Sequence, residues 1–194
     1  MDLLERLRTV GALKDGHFLL ASGRHSGQYV EKFDLLRKPG ETSAACAEIA
    51  RRFASDRLDV VVGPTTGGIL LAFETARLLG VDASYAERSA DGDPGREFRR
   101  GTTFRPGSRV LVVDDILTTG GSIGETLAAL ERLPVEVVGV AVLVDRSGGR
   151  AEFGLRLEAL ARLNIPTWEP PDCPLCIEGV PLSKPGTTSQ TSVL

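Results

Sequence analysis

From residue 58 onward the chain alternates short apolar runs with segments of helical periodicity. The runs at 58–62, 83–86, 109–113 and 135–144 are rich in Val, Leu and Ala, as strands covered on both faces require. Between them, 68–79 and 122–133 repeat their apolar residues every three or four positions. Strands alternating with helices at this spacing predict βαβ units, and so a mostly parallel, twisted sheet flanked by helices. In the helix at 122–133, Ile123, Leu127, Leu130 and Leu133 share one face, and Ser122 with Glu125 predicts a capping box at its start.

Two flanking pieces break the alternation. Residues 1–40 begin with an amphipathic helix (Leu3, Leu4, Leu7, Val10) and continue through GHFLLASGRHSGQYVEKFDLL, which reads as β-rich chain interrupted by glycines. Residues 151–185 carry Pro166, Pro170, Pro171, Pro174 and Pro181, which predicts an irregular segment. Both pieces are expected to form a small hood over the carboxyl edge of the sheet, where open α/β sheets bind ligands. Residues 41–150 would be the core, with a flexible loop at 88–104, and 186–194 a mobile tail.

Composition narrows the class. A chain of 194 residues with 42% hydrophobic content can bury one substantial core. Its net charge of -3 gives no general attraction to nucleic acid, no apolar run is long enough for a membrane span, and MDLLERLR lacks the apolar core of a signal peptide. A cytoplasmic protein acting on small molecules is expected, with no nucleic-acid or membrane partner. Three cysteines make no disulfide framework. The CPLC pair, Cys173 and Cys176, has zinc-knuckle spacing but supplies two of the four ligands such a site needs, so it reads first as a turn with two thiols and second as half of a site shared between subunits. His17 and His25 lack metal-ligand spacing and read first as ordinary hood residues, His25 with a place in the hood segment that would put it beside a bound ligand.

The chemistry concentrates in VLVVDDILTTGGSI, residues 110–123. Adjacent carboxylates about 6 Å apart repel by roughly 3 kcal/mol at an effective dielectric near 20, so Asp114 and Asp115 call for a positive partner. Thr118, Thr119, Gly120, Gly121 and Ser122 then form a phosphate cradle: glycines admit the anion to backbone N–H groups, hydroxyls donate, and the helix dipole favours negative charge. Neither a Walker loop nor a dinucleotide GxGxxG is present. Acidic residues before such a loop suit a sugar diol and Mg²⁺ held directly or through water. A ligand with a phosphate, a ribose diol and a metal-bound diphosphate satisfies all of this, which describes 5-phosphoribosyl-1-diphosphate (PRPP).

This segment resembles the PRPP motif of type I phosphoribosyltransferases, including the hydrophobic pair Ile116 and Leu117 between the acidic residues and the loop. The resemblance implies that family's fold, Asp114 and Asp115 on the ribose hydroxyls, and Thr118 to Ser122 on the 5-phosphate. VVGPTTGGILL is similar to the family's diphosphate loop, which assigns Thr65, Thr66, Gly67 and Gly68 to PRPP. FLLASGRHSGQY and LVDRSGG resemble the orotate branch, in its shorter, thermophile-type form. They imply that Ser22, Gly23, Arg24, Tyr29, Thr118 and Arg146 meet orotate, Arg146 through planar, bidentate recognition. Read without that resemblance, Arg146 is a surface ion pair with Asp145 or Glu152.

The implied reaction is transfer of the phosphoribosyl group from PRPP to orotate, with Mg²⁺, in a homodimer whose 88–104 loop reaches the neighbouring active site. The alternatives are a phosphoribosyltransferase for a purine or uracil, and a PRPP-binding regulator without catalysis. The chain departs from the family's pattern in three places. The loop has no lysine or histidine and offers Arg88, Arg96, Arg99 and Arg100, of which Arg88, Arg99 and Arg100 are assigned to catalysis with Asp114 and Asp115; Gly67 and Ala21 stand where lysines are expected.

Overall fold

The computed structural model describes residues 2–90 and 95–185. The core is a six-stranded sheet in the order β5 (Arg96–Glu97), β4 (Asp82–Arg88), β3 (Val60–Pro64), β6 (Ser108–Leu117), β7 (Val135–Asp145), β8 (Leu157–Arg162). All neighbours pair in parallel except β5, which returns antiparallel on β4. Val110, Leu111, Val112 and Val113 of β6 are completely buried, alternating between the two faces. Each such side chain stabilises the fold by about 1.5–3 kcal/mol.

One face is covered by α1 (Leu3–Thr9), α2 (Lys32–Leu36), α3 (Pro39–Arg52) and α4 (Gly67–Leu79), and the other by α5 (Gly121–Leu130) with Phe98 and Phe104. The sequence reading assigned no element to α3, although its signals are ordinary ones. Pro39 occupies the first turn, where its missing N–H is harmless, and Thr42, Ala45, Cys46, Ile49 and Ala50 form one buried stripe.

Three expectations are corrected. Residues 157–162, placed in an irregular segment, form β8 and extend the core sheet beside β7. Leu157 and Ala159 pack on one side and Leu160 on the other, a strand alternation too short to stand out beside the prolines. The capping box is absent: Gly120 is the N-cap of α5, the Ser122 hydroxyl donates to Asp114 at 2.7 Å, and Glu125 pairs with Arg96 at 3.2 Å. Third, the apolar run at 109–113 belongs to a strand that continues through Leu117, so both aspartates lie within β6.

The hood is a second sheet, antiparallel, of β1 (Leu13–Leu19), β2 (His25–Val30) and β9 (Thr167–Trp168). A 3₁₀ turn at Pro170–Asp172 and the short helix α6 (Pro174–Ile177) follow, and Ser183 returns to bond the His17 and Leu19 backbone. N-terminal and C-terminal chain are thus hydrogen-bonded into one unit. The 186–194 tail and residues 91–94 of the loop lie outside the described residues.

Candidate active site

Three polypeptide crossings meet at the carboxyl edge of the central strands. β6 carries Asp114 and Asp115 near its carboxyl end and leads through the turn at 118–120 into α5; β3 ends in the turn into α4; β7 ends beside Arg146. Thr118 and Thr119 are exposed, and no side chain caps the first turn of α5, whose N-terminal N–H groups face outward for an anion. Gly120 holds φ at +83°, and a Cβ there would sit 3.0 Å from the Phe153 ring, so the turn requires glycine.

Asp114 and Asp115 are both buried, at 5% and 3% exposure. Burial first, and then the Asp115 charge, push the Asp114 carboxyl up to about 6. The positive partner that the pair calls for is Lys32 of α2: its Nζ donates to Asp115 Oδ1 at 2.9 Å and lies 2.8 Å from Oδ2. Oδ2 makes that ion contact but accepts no well-directed hydrogen bond, so it keeps acceptor capacity in the site. Two buried carboxylates, one with such an oxygen, fit a ribose diol or a hard divalent cation.

Lys32 was missed in the sequence, since nothing in VEKFDLL separates it from a solvated helix charge. Its pairing also accounts for one departure from the family pattern. A Cβ at Gly67 would lie 1.9 Å from Asp115 Oδ2, so the turn at 65–68 has no room for a side chain beside this carboxylate.

The Thr65–Thr66 peptide is cis, and the Thr65 N–H donates to Ala86 O on β4. Arg96, which the sequence offered to the diphosphate, is buried and faces inward instead. It donates to Thr65 Oγ1 at 3.0 Å and Ala86 O at 3.1 Å, bracing the loop from below. Arg96→Ala is expected to lower stability by about 1–3 kcal/mol, because it leaves the Ala86 carbonyl with one donor fewer. Urea unfolding checks this.

Of the arginines assigned to catalysis, Arg88 is exposed at the end of β4, with no side-chain partner among the described residues. Arg99 bonds Glu97 at 2.6 Å, and Arg100 bonds Glu87 at 3.1 Å. Among the described residues of this loop, Arg88 thus has its side-chain donors open, and Arg99 keeps its Nη2 without a hydrogen-bond partner.

Arg146 lies half-buried, and its Nε has no hydrogen-bond partner. Burial pushes the guanidinium pKa down, and Tyr29 faces it from β2. The surface ion pair is absent: Asp145 accepts the Ser147 N–H and pairs with Arg162. Arg146 and Thr118 line a cavity of about 260 Å³, closed by Asn164, Pro166 and Thr167. Arg24 bonds both the hydroxyl and the carbonyl of Thr167, and Glu169. Its donors therefore tie β2 to β9, and its part at the cavity is to fix the wall. Ser22 and Gly23 form the exposed β1–β2 turn, with Gly23 at φ +83°. His25 does not line this cavity. It is buried at 5% exposure and faces His17, Cys173 and Cys176.

Thr- and Gly-rich turns at two uncapped helix N-termini, a carboxylate pair between them and a hooded cavity beside them are the arrangement of a phosphoribosyltransferase. Residues 39–153 match the family described as phosphoribosyl transferase domain. The chain is 44% identical over 187 residues to an orotate phosphoribosyltransferase of Caldanaerobacter subterraneus subsp. tengcongensis, covering 96% of this chain and 95% of that one. It is 43% identical over 184 residues to that of Thermus thermophilus, covering 95% and 100%. The crystal structure of orotate phosphoribosyltransferase from Aeropyrum pernix superposes with a TM-score of 0.69 at 32% identity, covering 83% of this chain and 93% of that one. The chain belongs to the phosphoribosyltransferase family, in its orotate phosphoribosyltransferase branch.

Proposed function

We propose that the chain transfers the 5-phosphoribosyl group of PRPP to N1 of orotate, giving orotidine 5′-monophosphate and diphosphate in pyrimidine nucleotide synthesis. The observation that carries this reading is the unpartnered guanidinium of Arg146, aimed at a cavity that begins beside the phosphate loop at Thr118. A planar anionic base presents carboxylate and carbonyl oxygens that such a group recognises.

The N-terminus of α5 with Thr118 and Thr119 grips the 5-phosphate, to which Ser122 offers its backbone N–H while its hydroxyl donates to Asp114. Asp114 and Asp115 accept from the ribose hydroxyls and favour the positive charge that develops on the ring as the C1–diphosphate bond breaks. Lys32 holds Asp115 in place for that contact. Thr65 to Gly68 and Arg88 receive the diphosphate, while Arg146 and the Tyr29 hydroxyl hold orotate with N1 toward C1. Bound Mg²⁺ would supply neutralisation of the leaving diphosphate, with Asp114 and Asp115 as the carboxylates that fit it. In this reading the protein works in the cytoplasm as a homodimer, with residues 88–104 reaching the partner's site, where Arg99 and Arg100 can exchange their glutamates for diphosphate.

The test is diphosphate release from PRPP and Mg²⁺ with orotate, uracil, hypoxanthine and adenine offered separately. Turnover with orotate alone is expected. Turnover with a purine or uracil instead would overturn the base assignment, and tight PRPP binding without turnover on any base would point to a regulator.

A further inference from the structure

We propose that His17, His25, Cys173 and Cys176 bind a structural Zn²⁺ that locks the hood together. His17 stands on β1 two residues before Leu19, and Leu19 is the cross-strand partner of His25. His17 sits in the bulge between Asp15 and Phe18, and the two imidazoles meet on one face of the hood sheet, His17 Nε2 lying 3.0 Å from His25 Nδ1. The C-terminal segment folds back over that face and presents the CPLC turn, closed by the Cys176 N–H donating to Cys173 O at 3.1 Å. The four ligand atoms lie within 4.8 Å of one another, and all come from one chain. The two ligands that the cysteine spacing lacks are thus the histidines, not a second subunit.

Four of the six distances between the ligand atoms are close to those of a tetrahedron, and the other two are within 4.8 Å. Zn–S bonds of about 2.3 Å and Zn–N bonds of about 2.05 Å place N and S about 3.6 Å apart and two N atoms about 3.3 Å apart. Here Cys173 Sγ and Cys176 Sγ lie 3.4 and 3.7 Å from His17 Nε2, Cys176 Sγ lies 3.3 Å from His25 Nδ1, and the two nitrogens are 3.0 Å apart. The tautomer of His17 is set as a ligand's must be. Its Nδ1 is 2.8 Å from Val180 O, an acceptor, so the proton sits on Nδ1 and the Nε2 lone pair points into the cluster.

His17, His25 and Cys173 are nearly inaccessible, while Cys176 opens to solvent and gives the ion a way in. Two thiolates and two imidazoles close all four positions, which marks a structural rather than a catalytic site. The ion would join β1, β2 and the C-terminal segment at one point. The Ser22–Arg24 turn and the Thr167 wall of the base cavity both hang from those strands. The hood is thin, with a two-residue third strand and few buried side chains, and metal binding that drives its folding would supply what its small core does not.

The test is made on the full-length wild-type chain, reduced and freed of metal, then titrated with Zn²⁺ or Co²⁺. One tightly held ion per chain is expected, with a rise in melting temperature. Co²⁺ should give thiolate-to-metal charge transfer and the intense visible bands of a tetrahedral site. Cys46 is completely buried and is expected to stay silent to thiol reagents in the folded protein, so a thiol count reports on the pair alone. Cys176→Ser, at the exposed ligand, should cut the charge-transfer band to about half, leaving that of Cys173, or weaken binding at least tenfold. Wild-type protein that takes up neither ion, or binds Co²⁺ only in an oxygen-ligated, octahedral form, would overturn the proposal. So would a Cys176→Ser protein that binds as tightly, with the same spectrum. Mg²⁺ does not compete for thiolates, so the readout is independent of the transferase reaction.

Discussion

Asp114→Asn is expected to slow phosphoribosyl transfer by at least about 10²-fold and, at neutral pH, to make the ligand-free protein more stable. The two effects share one cause. A buried carboxylate beside a second carboxylate is held ready for a ligand, and without that ligand its charge is unfavourable. The Asp114 pKa is raised by burial and by Asp115 to about 6, against about 3.9 in an unfolded chain. Below pH 4 both states carry the proton and nothing is lost. Between about 4 and 6 the folded protein keeps a proton that the unfolded chain has released, so stability falls as pH rises. Above about 6 the loss is complete, at up to about 3 kcal/mol. The neutral amide lacks this slope. Its advantage in melting temperature should grow across that window and then level off, reaching several degrees for a chain of this size. Melting curves from pH 4 to 8 check this, and wild-type PRPP binding should weaken as the pH drops through 6. A variant that is inactive but no more stable at pH 8 would show that the carboxylate charge is already balanced by Lys32.

The motif at 110–123 was legible because its chemistry is local. Phosphate recognition by a strand, a turn and a helix start uses consecutive residues, so Asp114 to Ser122 announce themselves by type and order. Lys32 is the opposite case. It reaches Asp115 across 83 positions, from a five-residue helix whose one other polar residue, Asp34, pairs with Lys14 and Arg37, and no periodicity distinguishes it. The Ser122–Glu125 capping box failed for a related reason. The pattern was correct as local grammar, but Asp114 offers Ser122 a buried partner and Arg96 offers Glu125 a charge, and these tertiary contacts won.

The hood shows the same limit. Its strands were readable as β-rich chain, yet the meeting of His17 and His25 with Cys173 and Cys176 depends on a sheet formed from both ends of the sequence. Ligand spacing along the chain signals a metal site only when two ligands share a turn, as the cysteines do. A pair of histidines on neighbouring strands is recognisable only once the register is known, here through Leu19 and His25. Likewise β8 became visible as a strand through its pairing with β7, whereas the prolines beyond it dominated the composition of the segment.

Arg146→Ala is expected to reduce kcat/KM for orotate by about 10³-fold while leaving PRPP binding within a few-fold of wild type. The guanidinium is half-buried, its Nε lacks a partner, and burial alone accounts for its lowered pKa. Such a cation is unfavourable in the ligand-free protein, and orotate supplies the anion that offsets it. Losing it therefore removes a charge-assisted, bidentate contact and leaves the base carboxylate to be desolvated without compensation. Arg146→Lys should recover little, because an ammonium cannot match two oxygens in one plane and the cavity wall at Thr118 and Thr167 is shaped around the longer group. Both variants should melt no lower than wild type, since neither breaks an ion pair. Steady-state kinetics with orotate varied, beside PRPP binding by calorimetry, separates the outcomes. Equal loss of PRPP affinity would place Arg146 on the diphosphate instead, and an unchanged rate with orotate would remove it from base recognition.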